Sequence, residues 1–356
     1  MRFNIRLFIL CIIILNCLSL IALNSSLHQE GEFSGKEQFY KQIVWIFVFW
    51  IVILVFYFIN YRVYFNLSFY IYILSIIFLL GVKLWGKEIM GAQRWIPLGE
   101  FNFQPSEFSK LAVIILSARI LSLDVKRAIF FRKLILPLIL ISISFILIFK
   151  QPDLGTAMLI FLIFFMMSLS SDIKKRYIIY MLILGLVLLP LIWVKLADYQ
   201  KKRVIVFLDP NVDPLGAGYT IIQSKIAIGS GKIFGKGFLA GTQNQFNFLP
   251  ERHTDFIFTV IAEEFGLIGS LFLLWIYGNI LKNILNKTRE VKDNFGQFLC
   301  IGIFSLLFLQ IFINIGMTMG LFPVVGIPLP FLSYGGTHLL ITAISLGIFL
   351  NIVKQW

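Results

Sequence analysis

Charged residues are scarce in this chain. They make up 14% of its 356 residues, against about 25% in soluble domains, which excludes an ordinary water-soluble protein with a charged surface. Acids are the scarcer kind, with 18 Asp and Glu against 31 Lys and Arg. Cysteine is limited to Cys11, Cys17 and Cys300. All three lie in apolar runs without metal-like spacing, so a disulfide framework and a thiolate metal site are both excluded and buried packing residues are expected. Histidine is also rare, and no third ligand stands at suitable spacing beside His253 and His338, which read as hydrogen-bonding groups. A nucleotide-binding phosphate loop is missing as well. The glycine-rich "GSGKIFGKG" (229–237) invites that reading, but Ser230 stands five before Gly235 and Gly237 follows Lys236, whereas the motif requires Gly-x-x-x-x-Gly-Lys-Ser/Thr.

Apolar sequence is what the chain has in excess. Hydrophobic residues reach 59% and aromatics 16%, with a mean hydropathy of +0.89. Runs such as "LFILCIIILNCLSLIAL" (7–23) and "IVWIFVFWIVILVFYFI" (43–59) approach the roughly 20 residues a helix needs to cross a bilayer. Barrel strands would be shorter and alternating. The expected fold is therefore an all-α polytopic membrane protein of about ten spans, near 7–23, 43–59, 67–85, 107–122, 134–149, 153–171, 177–195, 256–281, 298–321 and 336–353. It reads as a single domain over 1–356, with a long extracytoplasmic loop at about 196–255 between the seventh and eighth helices. The first span lacks a small-x-small cleavage site and exceeds a signal-peptide core, so it is expected to be retained.

Positive charge orients these spans. Arg2 and Arg6 precede the first, and the loops after every second span carry Arg62, then Lys126, Arg127, Arg132 and Lys133, then Lys174, Lys175 and Arg176, then Lys282, Lys287, Arg289 and Lys292. Both termini and these loops are expected to be cytoplasmic. The net charge of +13 is thus split between the two faces, and no nucleic-acid partner is implied.

With that orientation, the unusual polar sequence gathers outside: "GKEIMGAQRWIPLGEFNFQPSE" (86–107), "KQPDLGT" (150–156), the long loop, and "LFPVVGIPLPFLSYGG" (321–336). Distinctive loops on one face mark where a chain does its work. The stretch "LPERHTDFIFTVIAEEFGLIG" (249–269) carries three acids into an apolar segment, where carboxylates are retained only when paired or used. Asp255 follows Thr254, which could cap the helix, and Arg252 and the helix end would both hold it ionised. An ordinary first-turn acid fits the same spacing. On a continuous helix, Glu263 lies about 80° round and about 12 Å deeper than Asp255, and Glu264 about 180° away. Glu263 is then the candidate for lining a polar cavity below Asp255, and Glu264 for pairing with a neighbouring helix.

Glu107 and Lys110, three apart, share a helix face and can neutralise each other, with a proton-handling role as the alternative. Arg94 beside Trp95 could hold a phosphate while the ring packs on lipid or sugar, or Trp95 could belong to an interfacial aromatic belt. Asp153 follows Pro152 at a span start, so helix capping competes with function. The lysines of "GSGKIFGKG" either approach an anionic group or merely flank turns. Pro323, Pro328, Pro330 and Gly335-Gly336 break a span, and such backbone is tolerated only where protein or a watery cavity covers it. A re-entrant element is expected there, with Ser333 and Tyr334 offering hydroxyls to the site.

The strings "GAQRWIPLGEFNFQPSE", "QPDLGTA", "FLDPNVDPLGAGYTIIQSKIAIGSG", "GTQNQFNFLPERHTDFIFTVIAEE" and "GMTMGLFPVVGIPLPFLSYGG" together resemble the SEDS family (shape, elongation, division, sporulation), its RodA-type members more than the FtsW division paralogues. The resemblance runs from the third span to the end of the sequence. It implies a peptidoglycan glycosyltransferase that polymerises lipid II on the outer face of the bacterial cytoplasmic membrane during elongation and rod-shape maintenance. Its implied partners are the growing glycan strand, a class B penicillin-binding protein that cross-links strands, and other elongation-machinery proteins. The match at "HTDFIF" implies that Asp255 is the catalytic base. Arg94, Arg203, Lys225, Lys232 and Arg252 become candidates for the pyrophosphate. The sequence requires no cofactor, although a carboxylate near a pyrophosphate would suit magnesium or manganese. Rival readings are a lipid II flippase, which should line its whole path with polar residues, and a non-catalytic scaffold, which would leave Asp255 without a role.

Overall fold

The computed structural model describes residues 4–29, 32–33, 35–89, 92–99, 101–124, 130–246 and 248–356. Of the orienting charges, Arg2, Lys126 and Arg127 lie outside the described residues. The molecule is all-α, with helices α1 (Ile5–Leu27), α2 (Lys36–Phe58), α3 (Arg62–Trp85), α4 (Pro105–Ser122), α5 (Leu136–Lys150), α6 (Leu154–Leu169), α7 (Lys175–Lys195), α8 (Asp198–Leu208), α9 (Tyr219–Ser230), α10 (Thr242–Gln245), α11 (Ile257–Glu290), α12 (Asn294–Thr318) and α13 (Gly336–Gln355). Every predicted span coincides with one of these helices. Among the described residues, seven helical stretches are long and apolar enough to cross a membrane: α1, α2, α3, Phe131–Lys150, α11, α12 and α13; α6 is a shorter apolar helix. Large side chains such as Phe47, Tyr70 and Leu84 are exposed on them, as an acyl-chain solvent permits. The chain is an integral membrane protein.

Helix ends follow local chemistry. The Asn4 side chain accepts from Leu7 N at the start of α1, the Asp153 side chain accepts from Thr156 N at the start of α6, and Pro105 opens α4 at a position where its missing N–H costs nothing. Two small sheets were not expected. β1 (His28–Gln29) pairs with β2 (Glu32–Phe33), and β3 (Lys87–Ile89), β4 (Ala92–Leu98) and β5 (Phe101–Phe103) form an antiparallel meander in sequence order. The β4 residues Arg94, Trp95 and Ile96 are all half-buried, so no clean alternation announced the strand. Cys11 and Cys300 are buried as expected, but Cys17 faces outward, because a membrane solvent imposes no penalty on an exposed small apolar side chain.

The chain divides into two compact units. The first comprises 1–50, 198–283 and 310–339, which includes α1, α8 to α10, α11 as far as Asn283 and the irregular stretch before α13. The second comprises 51–197, 284–309 and 340–356, and holds α3, the β3–β5 meander and α4 to α7.

In the first unit α11 is broken. Gly266 sits at φ 63°, ψ −156°, a conformation only glycine adopts freely, and it interrupts the backbone ladder. The loop 229–237 repairs the interruption. Lys236 N donates to Glu263 O (3.0 Å) and Gly237 N to Glu264 O (3.0 Å), while Leu267 N and Ile268 N donate to Lys232 O (2.9 Å) and Ile233 O (3.2 Å). The glycine-rich loop is therefore neither free nor simply turn material. It is bonded into the gap of a membrane helix, satisfying groups that would otherwise be stranded.

Candidate active site

Asp255 precedes α11 in a turn that spans 250–256, so the helical phase relating it to Glu263 and Glu264 does not hold. Thr254 does not cap the helix either; its hydroxyl donates to Glu251 O (3.2 Å) and Glu251 Oε2 (3.0 Å). The turn is held by the irregular segment that follows α12. Ser333 Oγ donates to Thr254 O (2.6 Å) while accepting from Leu329 N (2.8 Å), and Tyr334 N donates to His253 O (3.0 Å). Asn314 Nδ2 donates to Asp255 O (2.9 Å) and to Ile327 O (2.7 Å). Asp255 itself is half-buried, and a Cβ placed on Gly326 (φ +68°) would lie 3.3 Å from its Oδ2, so the carboxylate rests directly on that glycine.

The segment 320–335 has no regular structure before α13, and its carbonyls are met by side chains. Arg203 Nη1 donates to Val324 O (3.2 Å), Tyr277 Oη to Pro330 O (2.6 Å) and Ser19 Oγ to Leu332 O (2.8 Å). Protein thus covers the backbone, as irregular structure at membrane depth demands. Ser333, expected to offer its hydroxyl to the site, is fully buried and engaged on both sides, while Tyr334 is half-buried with its ring 6.2 Å from that of His253.

Cations differ in their placement. Arg203 and Lys225 are both exposed and both meet this segment: Arg203 at Val324, and Lys225 at Gly320, where an added Cβ would come within 2.2 Å of the lysine Cε. Arg252 is buried, with its Nε donating to Ser26 O at the end of α1; burial pulls its pKa below the ordinary arginine value. It serves as a strut between the turn and α1. Burial likewise lowers the pKa of His253, against the opposing pull of Glu251, so the neutral imidazole is favoured. Lys232 is exposed on the loop bonded into the α11 break.

The two buried acids of α11 divide their work by partner. Glu263 Oε1 meets Lys236 Nζ (2.8 Å) and accepts from Gln243 N (3.1 Å), and Oε2 accepts from Asn244 Nδ2 (3.3 Å). It anchors Lys236 of the loop and the first turn of α10. Glu264 accepts from the Ser25 hydroxyl of α1.

In the second unit, Lys110 Nζ and Glu107 Oε1 are 2.6 Å apart and almost wholly buried. Arg94 donates from Nε to Gln151 O (2.9 Å) and from Nη2 to Pro152 O, so it clamps the turn between α5 and α6. Trp95 is half-buried on β4, and Asp153 is buried as the cap of α6.

A model of cell cycle proteins bearing the names FtsW, RodA and SpoVE matches residues 5–356. The chain belongs to this family. Among FtsW/RodA/SpoVE relatives, the peptidoglycan glycosyltransferase MrdB of Escherichia coli (strain K12) is 45% identical over 292 residues, 82% of this chain and 79% of that protein. The probable peptidoglycan glycosyltransferase FtsW of Geobacter sulfurreducens is 38% identical over 285 residues, 79% and 74% of the two chains. A solved chain from work on the structural coordination of polymerization and crosslinking by a peptidoglycan synthase complex superposes with a TM-score of 0.82 at 27% identity, covering 100% of this chain and 98% of that one. The crystal structure of the Thermus thermophilus rod shape determining protein RodA, at 24% identity, shares the fold with a TM-score of 0.74 and the same coverage.

Asn314, Gly326 and Ser25 were not singled out from the sequence, and Lys236 was weighed only as one lysine of the glycine-rich loop, not as a partner of Glu263. Asn314 had a visible signal, an amide four residues after Gln310 inside the apolar "LQIFINIGM", where a polar group needs a partner. Gly326 and Lys236 had none, since their roles depend on where distant backbone arrives.

Proposed function

We propose that this FtsW/RodA/SpoVE member is a peptidoglycan glycosyltransferase that polymerises lipid II, with Asp255 as the general base. The observation that carries this reading is the half-buried Asp255 carboxylate resting on Gly326, in a turn anchored to the segment that Arg203 and Lys225 also meet. In the reaction the 4-hydroxyl oxygen of the acceptor GlcNAc bonds to the anomeric carbon of the donor MurNAc. The bond from that carbon to the phosphate oxygen breaks, and its electron pair leaves on undecaprenyl pyrophosphate. The hydroxyl proton passes to Asp255.

Pyrophosphate is a good leaving group, so no second carboxyl acid of the kind used on glycosidic oxygens is required. Cations stabilise the charge that develops on it, and the exposed Arg203 and Lys225 are better placed for that than the buried Arg252. No group of three or more His, Cys, Asp or Glu side chains comes together among the described residues. A magnesium or manganese ion would have to be shared between a carboxylate, waters and the substrate pyrophosphate, and no step here passes through one.

The names of the relatives support the activity. The likeness to a chain of a synthase that coordinates polymerization and crosslinking supports a cross-linking partner of the class B penicillin-binding type. The charge pattern supports a cytoplasmic-membrane location with both termini inside and the Asp255 turn outside. That topology predicts that Leu215→Cys, at a position 90% exposed, reacts with an impermeant thiol reagent added to intact spheroplasts, whereas Arg289→Cys reacts only after lysis, both made in a background lacking Cys17. Opposite labelling would remove Asp255 from the outer face. The function itself is tested by incubating the purified chain with lipid II. Glycan formation is expected, and its absence both with and without the transpeptidase would favour a flippase or scaffold.

A further inference from the structure

The Asn314 amide faces two backbone carbonyls from different parts of the chain. Its Nδ2 is 2.9 Å from Asp255 O and 2.7 Å from Ile327 O. Turning the amide over would set an oxygen against two oxygens, so both carbonyls dictate its orientation. The residue is fully buried, and its Oδ1 meets no donor among the described residues, which leaves the two donations as what holds the side chain. Ile327 directly follows Gly326, whose added Cβ would sit 3.3 Å from Asp255 Oδ2. One amide therefore ties the backbone of Asp255 to the turn on which its carboxylate rests.

We infer that Asn314 is a positioning residue that sets where the Asp255 carboxylate stands relative to the Gly326 turn. The inference rests on the reading of Asp255 as the base. Only an acidic or amide side chain of this length spans both carbonyls from α12, and only the amide can donate to both. Positioning acts on the chemical step because a displacement of about 1 Å from a productive geometry can cost about 10²-fold. A buried residue that only positions the base leaves substrate binding intact, so the effect is expected on kcat.

The test compares Asn314→Leu, Asn314→Asp, Asp255→Asn and the double variant Asn314→Leu/Asp255→Asn as purified full chains, with lipid II polymerisation followed by radiolabel. Both Asn314 variants are expected to lower kcat ~10- to 100-fold, to change KM less than about 3-fold, and to shift the rising limb of the pH–kcat profile, which reports the base in the complex. In the double variant the residual rate should equal that of Asp255→Asn alone, because residues acting as a unit are not additive. An unchanged kcat, a purely KM effect or an additive double variant would overturn the inference while leaving Asp255 in place. A wild-type rate for Asp255→Asn would overturn the base reading and this inference with it. If Asn314→Leu does not accumulate, Asn314→Asp, closest in shape, carries the same expectation; failure of both to fold would make Asn314 a folding residue and overturn the inference.

Discussion

Asp255→Asn is expected to abolish glycan formation in an ordinary gel assay while membrane insertion, thermal stability in detergent and transpeptidase binding stay close to wild type. The side chain keeps its shape and is only half-buried. Three contacts that hold the turn meet backbone atoms, from Asn314 to Asp255 O, from Ser333 to Thr254 O and from Tyr334 N to His253 O, and the substitution leaves these three in place. What it removes is a proton acceptor, and loss of a general base typically costs about 10²–10⁴ in rate. A fall in yield or stability matching the fall in rate would mean that Asp255 is chiefly structural. A normal rate would end the mechanism proposed here.

The largest stability effect is expected at the buried pair of α4. Glu107→Ala should destabilise the protein by about 3–5 kcal/mol, the usual consequence of stranding one charge of a buried pair, because Lys110 Nζ lies 2.6 Å from Glu107 Oε1 and neither side chain is more than 4% exposed. Exchanging the residues, as Glu107→Lys with Lys110→Glu, keeps the pair on one helix face and should restore most of that loss. Melting in detergent measures the first quantity, and polymerisation of the exchanged protein measures another. An exchanged protein that folds well but makes no glycan would show that the pair has a direction as well as a charge balance, and the structural assignment of Glu107 and Lys110 would fall.

The membrane helices were legible because their signal is local: twenty apolar residues need a helix whatever lies beside them. The pairing of Glu107 with Lys110 was legible for the same reason, since three residues on a helix fix a shared face. The capping role of Asp153 was also open to reading, one residue before its helix. Asp255 was misplaced by local reasoning. Its relation to Glu263 was drawn along a helix that begins only at Ile257, and its true setting comes from Asn314, Gly326 and Ser333, some 60 to 80 residues further on. Arg252 and Ser333 looked available to a substrate for want of the partners that engage them, Ser26 O in one case and Leu329 N with Thr254 O in the other. No period in a sequence records which distant carbonyl a side chain will meet.

The stitched break in α11 bears on how freely this protein can be re-engineered. Surface loops ordinarily absorb insertions with little loss. Around Leu215, in an exposed turn, that freedom should hold, and a tag or fluorophore could be spliced there. Between Lys232 and Gly237 the spacing is set by the helix itself, because the carbonyls of Lys232 and Ile233 serve one side of Gly266 and the amides of Lys236 and Gly237 serve the other. One residue more or fewer would put that segment out of step with both halves of α11. A stretch that reads as the most expendable linker in the chain has its length prescribed to the residue.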